Sequence, residues 1–298
     1  MEFRSVYIAR PAQLSARRGQ LVIRQEQEVA VPMEDITGVL IESRAVTISA
    51  AALQELSDAG VTVYLCDEKH LPAAVVLPMN RYSRQLRLLK RQIALTDAAK
   101  NRLWKQVVSC KIANQARCLA LMQKPGVEDL KYLARNVRSG DPDNLEAQAA
   151  ALYFPALFGR GFTRGDDCPV NSMLNYGYAI VRGAVARNLV TRGMEPCLGI
   201  FHRGELNQFN LADDLMEPFR PLVDLFAASC KDEEDTLTTR QKQQLFNLTN
   251  YMVLQDTRRH RMITAIGRMA ESYSRVLQGE GTSLSLPELL ALESYRYE

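Results

Sequence analysis

Apolar residues in the first eighty positions fall in short β-prone runs, each flanked by polar residues: Leu21-Val22-Ile23, Val29-Ala30-Val31, Val39-Leu40-Ile41, Val46-Thr47-Ile48, Val61 to Cys66 and Val75-Val76-Leu77. Runs of this length predict strands. One helix is predicted among them, over 50–59, with Ser49 to cap it and Gly60 to stop it. From about Tyr82 the texture changes. Leu86, Leu89 and Ile93, then Leu103, Val107, Val108 and Ile112, recur at three- and four-residue steps, which predicts helices. Further helices are predicted from Asp141-Pro142 onward, from a cap at Asn171 towards Arg192, and across 238–255 and 260–278. Pro155 is expected to kink or end its helix, and Pro287, after the Gly279-Glu280-Gly281 joint, to open a last one.

This alternation predicts an α+β fold, with a small, mostly antiparallel β N-terminal domain over 1–80 and a larger all-α C-terminal domain over 93–298. A basic linker or helix over 81–92 joins them. Composition adds exclusions. The 298 residues are 47% apolar and 24% charged, as in soluble globular chains, so neither disorder nor a disulfide scaffold is expected. No apolar run approaches the ~18 residues of a spanning helix, and the first residues show no basic region leading into an apolar core, so neither a membrane span nor a signal peptide is expected. The six cysteines (66, 110, 118, 168, 197 and 230) include no C-x-x-C pair. They read as reduced thiols of a cytoplasmic protein.

The net charge of +3 is small, but its distribution is uneven. Residues 81–117 carry ten cations, among them Arg81, Arg84, Arg87, Lys90, Arg91 and Lys105, against Asp97 alone. Residues 213–235 carry eight acids against Arg220 and Lys231. A basic stretch this dense suits a phosphate-binding surface, since each paired cation releases condensed counterions; it equally suits a solvated helix face. Arg258, Arg259 and Arg261 invite the same two readings. The string from Gly159 to Gly165 resembles a dinucleotide fingerprint, but its third glycine is one residue late and it follows a helical segment, so it is set aside.

Three places can carry chemistry. Glu146 falls about one turn into the helix after Asp141-Pro142, among small alanines that leave room for a ligand or a packed helix. His202 lies where an apolar stretch, 197–201, meets a polar one. Asp214 and Glu217 are three apart, so one helical turn puts both carboxylates on one face. Two carboxylates and an imidazole suit Mg²⁺ or Mn²⁺. Taken alone, each place reads first as a solvated or structural residue.

The string Gly140-Asp141-Pro142-x-Asn144-x-Glu146-x-x-Ala149-Ala150-x-x-Tyr153-Phe154 resembles a signature of the CRISPR-associated integrase family, the Cas-one proteins of spacer acquisition. The stretch from His202 through 207–221, ending Glu217-Pro218-Phe219-Arg220-Pro221, resembles the other signature, and Pro169-Val170-Asn171 and Tyr176-Gly177-Tyr178 fit between them. The wording is closest to type II systems. The departures are Ala147, where a glycine commonly follows the catalytic glutamate, and Pro155. The resemblance implies Glu146, His202 and Glu217 as catalytic metal ligands, with Asp214 as a nearby, secondary acidic ligand, and Mg²⁺ or Mn²⁺ as cofactor. It implies a DNA integrase and endonuclease that joins 3′-hydroxyl ends of short spacer precursors into the CRISPR repeat, by transesterification that needs no external energy source. It further implies a homodimer made through the β-lobes, a small Cas-two partner dimer, and the type II effector nuclease as a further associate. Arg81, Arg84, Arg87, Lys90, Arg91 and Lys105, with Arg258, Arg259 and Arg261 second, are the DNA-binding candidates. Two other readings stand beside this one: a structure-selective nuclease without joining activity, and a non-catalytic nucleic-acid-binding adaptor. Trp104, Tyr176 and Tyr178 are expected in the core.

Overall fold

The computed structural model of the protein describes residues 4–78, 85–230 and 236–294. The N-terminal lobe runs β1 (Arg4–Ile8), β2 (Gln13–Arg17), β3 (Gln20–Arg24), β4 (Glu28–Pro32), β5 (Ile36–Ile41), β6 (Thr47–Ile48), α1 (Ala50–Ala59), β7 (Thr62–Cys66) and β8 (Pro72–Val76). Ser49 accepts from the Ala52 N–H and Gly60 closes α1 in the left-handed conformation, as their residue types predict. The strands form two four-stranded sheets, ordered β1-β5-β7-β8 and β4-β3-β2-β6. Here the expected antiparallel lobe needs correction. β1, β5 and β7 are mutually parallel with only β8 reversed, and β6 pairs parallel to β2. Antiparallel pairing is confined to β2, β3 and β4 in one sheet and to β7 with β8 in the other.

The apolar make-up of both faces of the parallel core has a direct cause. Alternate side chains on a strand face opposite sides. Val39, Ile41 and Val63 pack with Leu14, Leu21 and Leu56 inside the lobe, while Leu40 and Tyr64 join the core of the helical lobe. Both faces of β5 and β7 are covered, so these strands read as continuous apolar runs. The Tyr64 hydroxyl donates to the Ile180 carbonyl at 2.8 Å and clamps the two lobes together.

The second lobe holds α2 (Gln85–Ile93), α3 (Asp97–Leu121), α4 (Val127–Asn136), α5 (Leu145–Phe158), α6 (Pro169–Val190), α7 (Asn210–Met216), α8 (Arg220–Ser229), α9 (Thr239–Asn247), β9 (Tyr251–Gln255), β10 (Arg258–Arg261), α10 (Met262–Gln278) and β11 (Glu288–Ser294). The central helix is α6, against which α7, α8, α9, α10 and strands β7 and β8 pack. The lobe is not all helical. The helix predicted over 238–255 ends at Asn247, and β9 follows after a 3₁₀ turn. Asp256 and Thr257 then turn the chain with positive φ into β10. Pro287 opens no helix; it precedes β11, which pairs with β9. Pro155 neither ends nor interrupts α5, which runs on to Phe158. Asn171 is not a cap but lies in the first turn of α6, where its amide donates to the Thr163 and Asp166 carbonyls.

Candidate functional site

Four segments meet at one place, and the sequence explains each entry. Residues 141–144 turn with positive φ at Asp141 and Asn144, and α5 starts at Leu145, three residues later than Asp141-Pro142 predicts. Asp141 still caps it: its carboxylate accepts from the Leu145 N–H at 2.9 Å and the Glu146 N–H at 3.0 Å. Glu146 is thereby held at the second position of the helix. On α3, Lys111 lies on the buried side of a long helix capped by Thr96. Glu217 follows α7 in the 3₁₀ turn Glu217–Phe219, which Pro218 favours as an early helical residue, and Arg220 opens α8.

The Lys111 ammonium bridges the two glutamates, 2.6 Å from Glu146 Oε1 and 2.5 Å from Glu217 Oε2. Arg220 Nε lies 3.1 Å from Glu217 Oε1. Burial pushes the Glu217 carboxyl up, but Lys111 and Arg220 outweigh it and hold the group below the usual carboxylate range. Burial likewise opposes the charge on Lys111, and Glu217 and Glu146 more than restore it. Glu217 Oε2 and Arg220 Nε are buried, yet neither makes a well-directed hydrogen bond. The carboxylate is thus neutralised by two cations at ion-pair distance, and a metal ion would reach it only where Lys111 moves aside.

His202 sits in the loop before α7. Asp214, 0% exposed, accepts from the Ile200, Phe201 and His202 N–H groups at 2.6, 2.9 and 3.1 Å, and lies 2.6 Å from His202 Nδ1. Both oxygens of Asp214 are thus committed to the loop and the imidazole, and Nε2 is the ring atom left for a ligand. The hydrogen bond to Asp214 raises the His202 pKa, burial opposes it, and the charges of Asp214 and Glu217 add to the rise. Asp213 turns elsewhere, to Arg182 at 2.6 Å and Asn207 at 2.8 Å. Behind the site, Asp224 accepts from the Tyr153 and Tyr178 hydroxyls, and the Arg220 guanidinium lies 4.7 Å from the Tyr178 ring centre.

The structure therefore brings Glu146 and Glu217 onto one cation and fixes His202 through Asp214 on the adjoining loop. Among the described residues no three His, Cys, Asp or Glu side chains gather into a ligand cluster, and Lys111 occupies the point between the two glutamates. Lys111 belongs by sequence to the basic stretch and carries no signal of its own. Only burial of α3 against the glutamates distinguishes it. Trp104, Tyr176 and Tyr178 are buried as expected. Trp104 also lies beside the site, stacked on Phe201.

The basic candidates scatter. Arg81 and Arg84 lie outside the described residues; Arg87, Lys90 and Lys105 are exposed on α2 and α3. Arg91 donates to the Leu277 carbonyl and Arg259 pairs with Glu293, so both have internal partners. Arg258 is exposed and Arg261 half-buried at the start of α10. Among the described residues no helix is long and apolar enough to cross a membrane.

The family model described as CRISPR associated protein Cas1 matches residues 6–268. A CRISPR-associated endonuclease Cas1 from Neisseria meningitidis serogroup C (strain 8013) is 43% identical over the whole of both chains. A casposase bound to its integration product shares the fold with a TM-score of 0.76 at 19% identity, covering 96% of this chain and 93% of that one. A Cas6-RT-Cas1–Cas2 complex shares it with a TM-score of 0.69 at 16% identity, covering 97% of this chain and 36% of that one. With a family match across most of its length and a relative this similar from end to end, the chain belongs to the Cas1 family of CRISPR-associated proteins.

Proposed function

We propose that the protein is a metal-dependent DNA integrase with endonuclease activity that joins 3′-hydroxyl ends of short DNA into a CRISPR repeat. The observation that carries the reading is the convergence of Glu146 and Glu217 on a single cation position beside a histidine whose Nδ1 is tied to a buried aspartate. Glu146, Glu217 and His202 Nε2 would hold Mg²⁺ or Mn²⁺, ions that accept carboxylate and imidazole ligands. Bound there, such an ion supplies Lewis acidity at the scissile phosphate and lowers the pKa of the attacking hydroxyl.

The protein's own groups do the rest. Asp214 holds the imidazole in one orientation and tautomer, a positioning role in place of the secondary ligand role that the resemblance implies. Lys111 and Arg220 keep the buried Glu217 ionised. The exposed cations Arg87, Lys90 and Lys105 suit phosphate contacts that orient DNA without reading its sequence. The attacking 3′-oxygen forms a bond to phosphorus as the bond to the departing 3′-oxygen breaks, and that oxygen takes up a proton. One phosphodiester replaces another. Water in place of the hydroxyl yields cleavage.

The DNA-bound casposase and the Cas1–Cas2 complex among the structural neighbours support DNA and a small Cas2 dimer as partners. A homodimer through the β-lobe, and the type II effector as an associate, belong to the same proposal. The non-catalytic adaptor has one observation in its favour: Lys111 already neutralises both glutamates. A joining assay separates the readings, using labelled duplex with 3′-hydroxyl ends, a supercoiled plasmid bearing a repeat, Mn²⁺ or Mg²⁺, and the small partner. Joined product should form, vanish with chelator, and fall by at least about a hundred-fold in Glu217→Ala and His202→Ala. Cleavage without joining would indicate a plain nuclease, and neither reaction the adaptor.

A further inference from the structure

Phe201, the residue before His202, is 47% exposed although it adjoins a buried site. One face of its ring lies flat on Trp104, with centroids 4.3 Å apart and planes within 2°. Trp104 is buried in the α3 core, so the stack has a fixed base. The Phe201 N–H is held by Asp214 at 2.9 Å, and the ring meets that of His202 edge-on at 5.7 Å. Phe201 is therefore pinned through its backbone, its inner face and one edge, and the face turned away from Trp104 is the one open to solvent.

Each of the two segments that form the stack carries a cation. Arg203 follows His202, is exposed, and reaches only a distant pairing with Asp97 at 3.5 Å. Lys100 precedes Trp104 by four residues on α3, which places it on the same helix face. A rigid aromatic face flanked by cations is the chemistry that holds unpaired nucleobases: each base has a π-face to stack and each nucleotide a phosphate to pair. An apolar peptide or a lipid chain would gain nothing from Arg203 and Lys100.

We propose that Phe201, backed by Trp104, is a stacking platform for an unpaired nucleobase at the 3′ end of the DNA strand that reacts beside Glu146, His202 and Glu217. The inference rests on the integrase reading and deepens it. The platform seats the terminal base so that its 3′-oxygen is presented to the site, and because stacking is indifferent to base identity it sets position rather than sequence.

The test uses the full chain with a duplex carrying short single-stranded 3′ ends and 2-aminopurine as the 3′-terminal base, without divalent metal so that binding is read apart from turnover. The parent should quench the terminal fluorophore. Phe201→Ala and Phe201→Leu should lose that quench, and in the joining assay should raise KM for the fragment on the order of ten-fold with kcat changed far less. Phe201→Trp should restore both. A fluorophore moved into the paired region should be insensitive to all three substitutions. Parent-like quench and KM in Phe201→Leu would overturn the proposal, since apolar packing would then suffice. Joining by the parent together with unchanged quench and KM in Phe201→Ala would overturn the platform alone, whereas a parent that neither binds nor joins DNA would overturn the integrase reading with it.

Discussion

At Lys111 the arrangement of charge decides what the site can do. Its ammonium takes the place of a cation between two glutamates that come from separate helical segments. Removing one member of a buried ionic cluster leaves uncompensated charge and costs about 3–5 kcal/mol. Lys111→Met should therefore lower the melting temperature of the metal-free protein sharply. Mn²⁺ should recover part of the loss, giving a larger thermal shift in the variant than in the parent, as scanning fluorimetry with and without chelator will read. A variant that is destabilised but indifferent to Mn²⁺ would argue against a cation position there. A second residue makes a pH prediction. Burial pushes the Asp224 carboxyl up to about 6, against the Tyr178 and Tyr153 hydroxyls and the charges of Arg220 and Lys111. An unfolded aspartate titrates near ~3.9. Because the folded value is the higher one, the folded state binds the extra proton, and this stabilising contribution is complete below about pH 4 and lost as the pH rises through about 6. Across that window the parent should lose roughly 2–3 kcal/mol relative to Asp224→Asn, measured as denaturant unfolding at several pH values.

At the scale of elements, the start of α5 ties local structure to the site. Asp141 stands four and five residues before the amides it caps, and Glu146 owns one of those amides. Asp141→Ala should cost about 0.5–2 kcal/mol of stability, and joining activity should fall further than stability alone explains, because the helix end that carries Glu146 frays. Equal loss in an unrelated cap variant, Thr238→Ala at α9, would remove the link. The β9–β10 turn offers the opposite sign. Thr257 is β-branched and held at φ 66°. Such a residue pays ~1–2 kcal/mol in the left-handed region, so Thr257→Gly should stabilise the protein by about 1 kcal/mol after the entropic cost of glycine, as thermal denaturation will show. This hairpin also explains why helical periodicity misleads over 251–255. Tyr251 to Gln255 is too short a window to separate periods of 2 and 3.6, and pairing with β11 from the far end of the chain settles the matter.

Across the whole molecule, the lobes meet through a buried ion pair and a close approach at a glycine as well as through the Tyr64 clamp. Lys242 on α9 reaches Glu42, just after β5, at 2.6 Å, and the Tyr7 hydroxyl donates to the same carboxylate at 2.6 Å. Gly183 on α6 faces the Tyr64 ring so closely that a Cβ there would collide with it, and that ring is tethered by its hydroxyl to Ile180. Gly183→Ala should therefore force the β-lobe away from α6. Calorimetry of the parent should give one cooperative transition, and that of the variant a broadened or split one. An unchanged single transition would show that Tyr64 can move aside at little cost.

The residues alone determined which segments are strands and helices wherever periodicity is long or apolar runs are dense, and β3, β5, β7, α1, α3 and α6 all stand where their patterns place them. They also single out Glu146, His202 and Glu217 as candidates, through the motif resemblance. Topology and long-range pairing were decided only in three dimensions. Nothing local distinguishes parallel from antiparallel pairing in Val39-Leu40-Ile41, since both orders bury the same side chains. The polar alternation of β1 and β2 becomes a strand signal only beside a partner. Lys111, Asp141 and Asp214 acquire their roles in the same way. A charge has no partner until burial removes the water that would otherwise screen it, and which carboxylate it then meets depends on how α3, α5 and the turn after α7 pack.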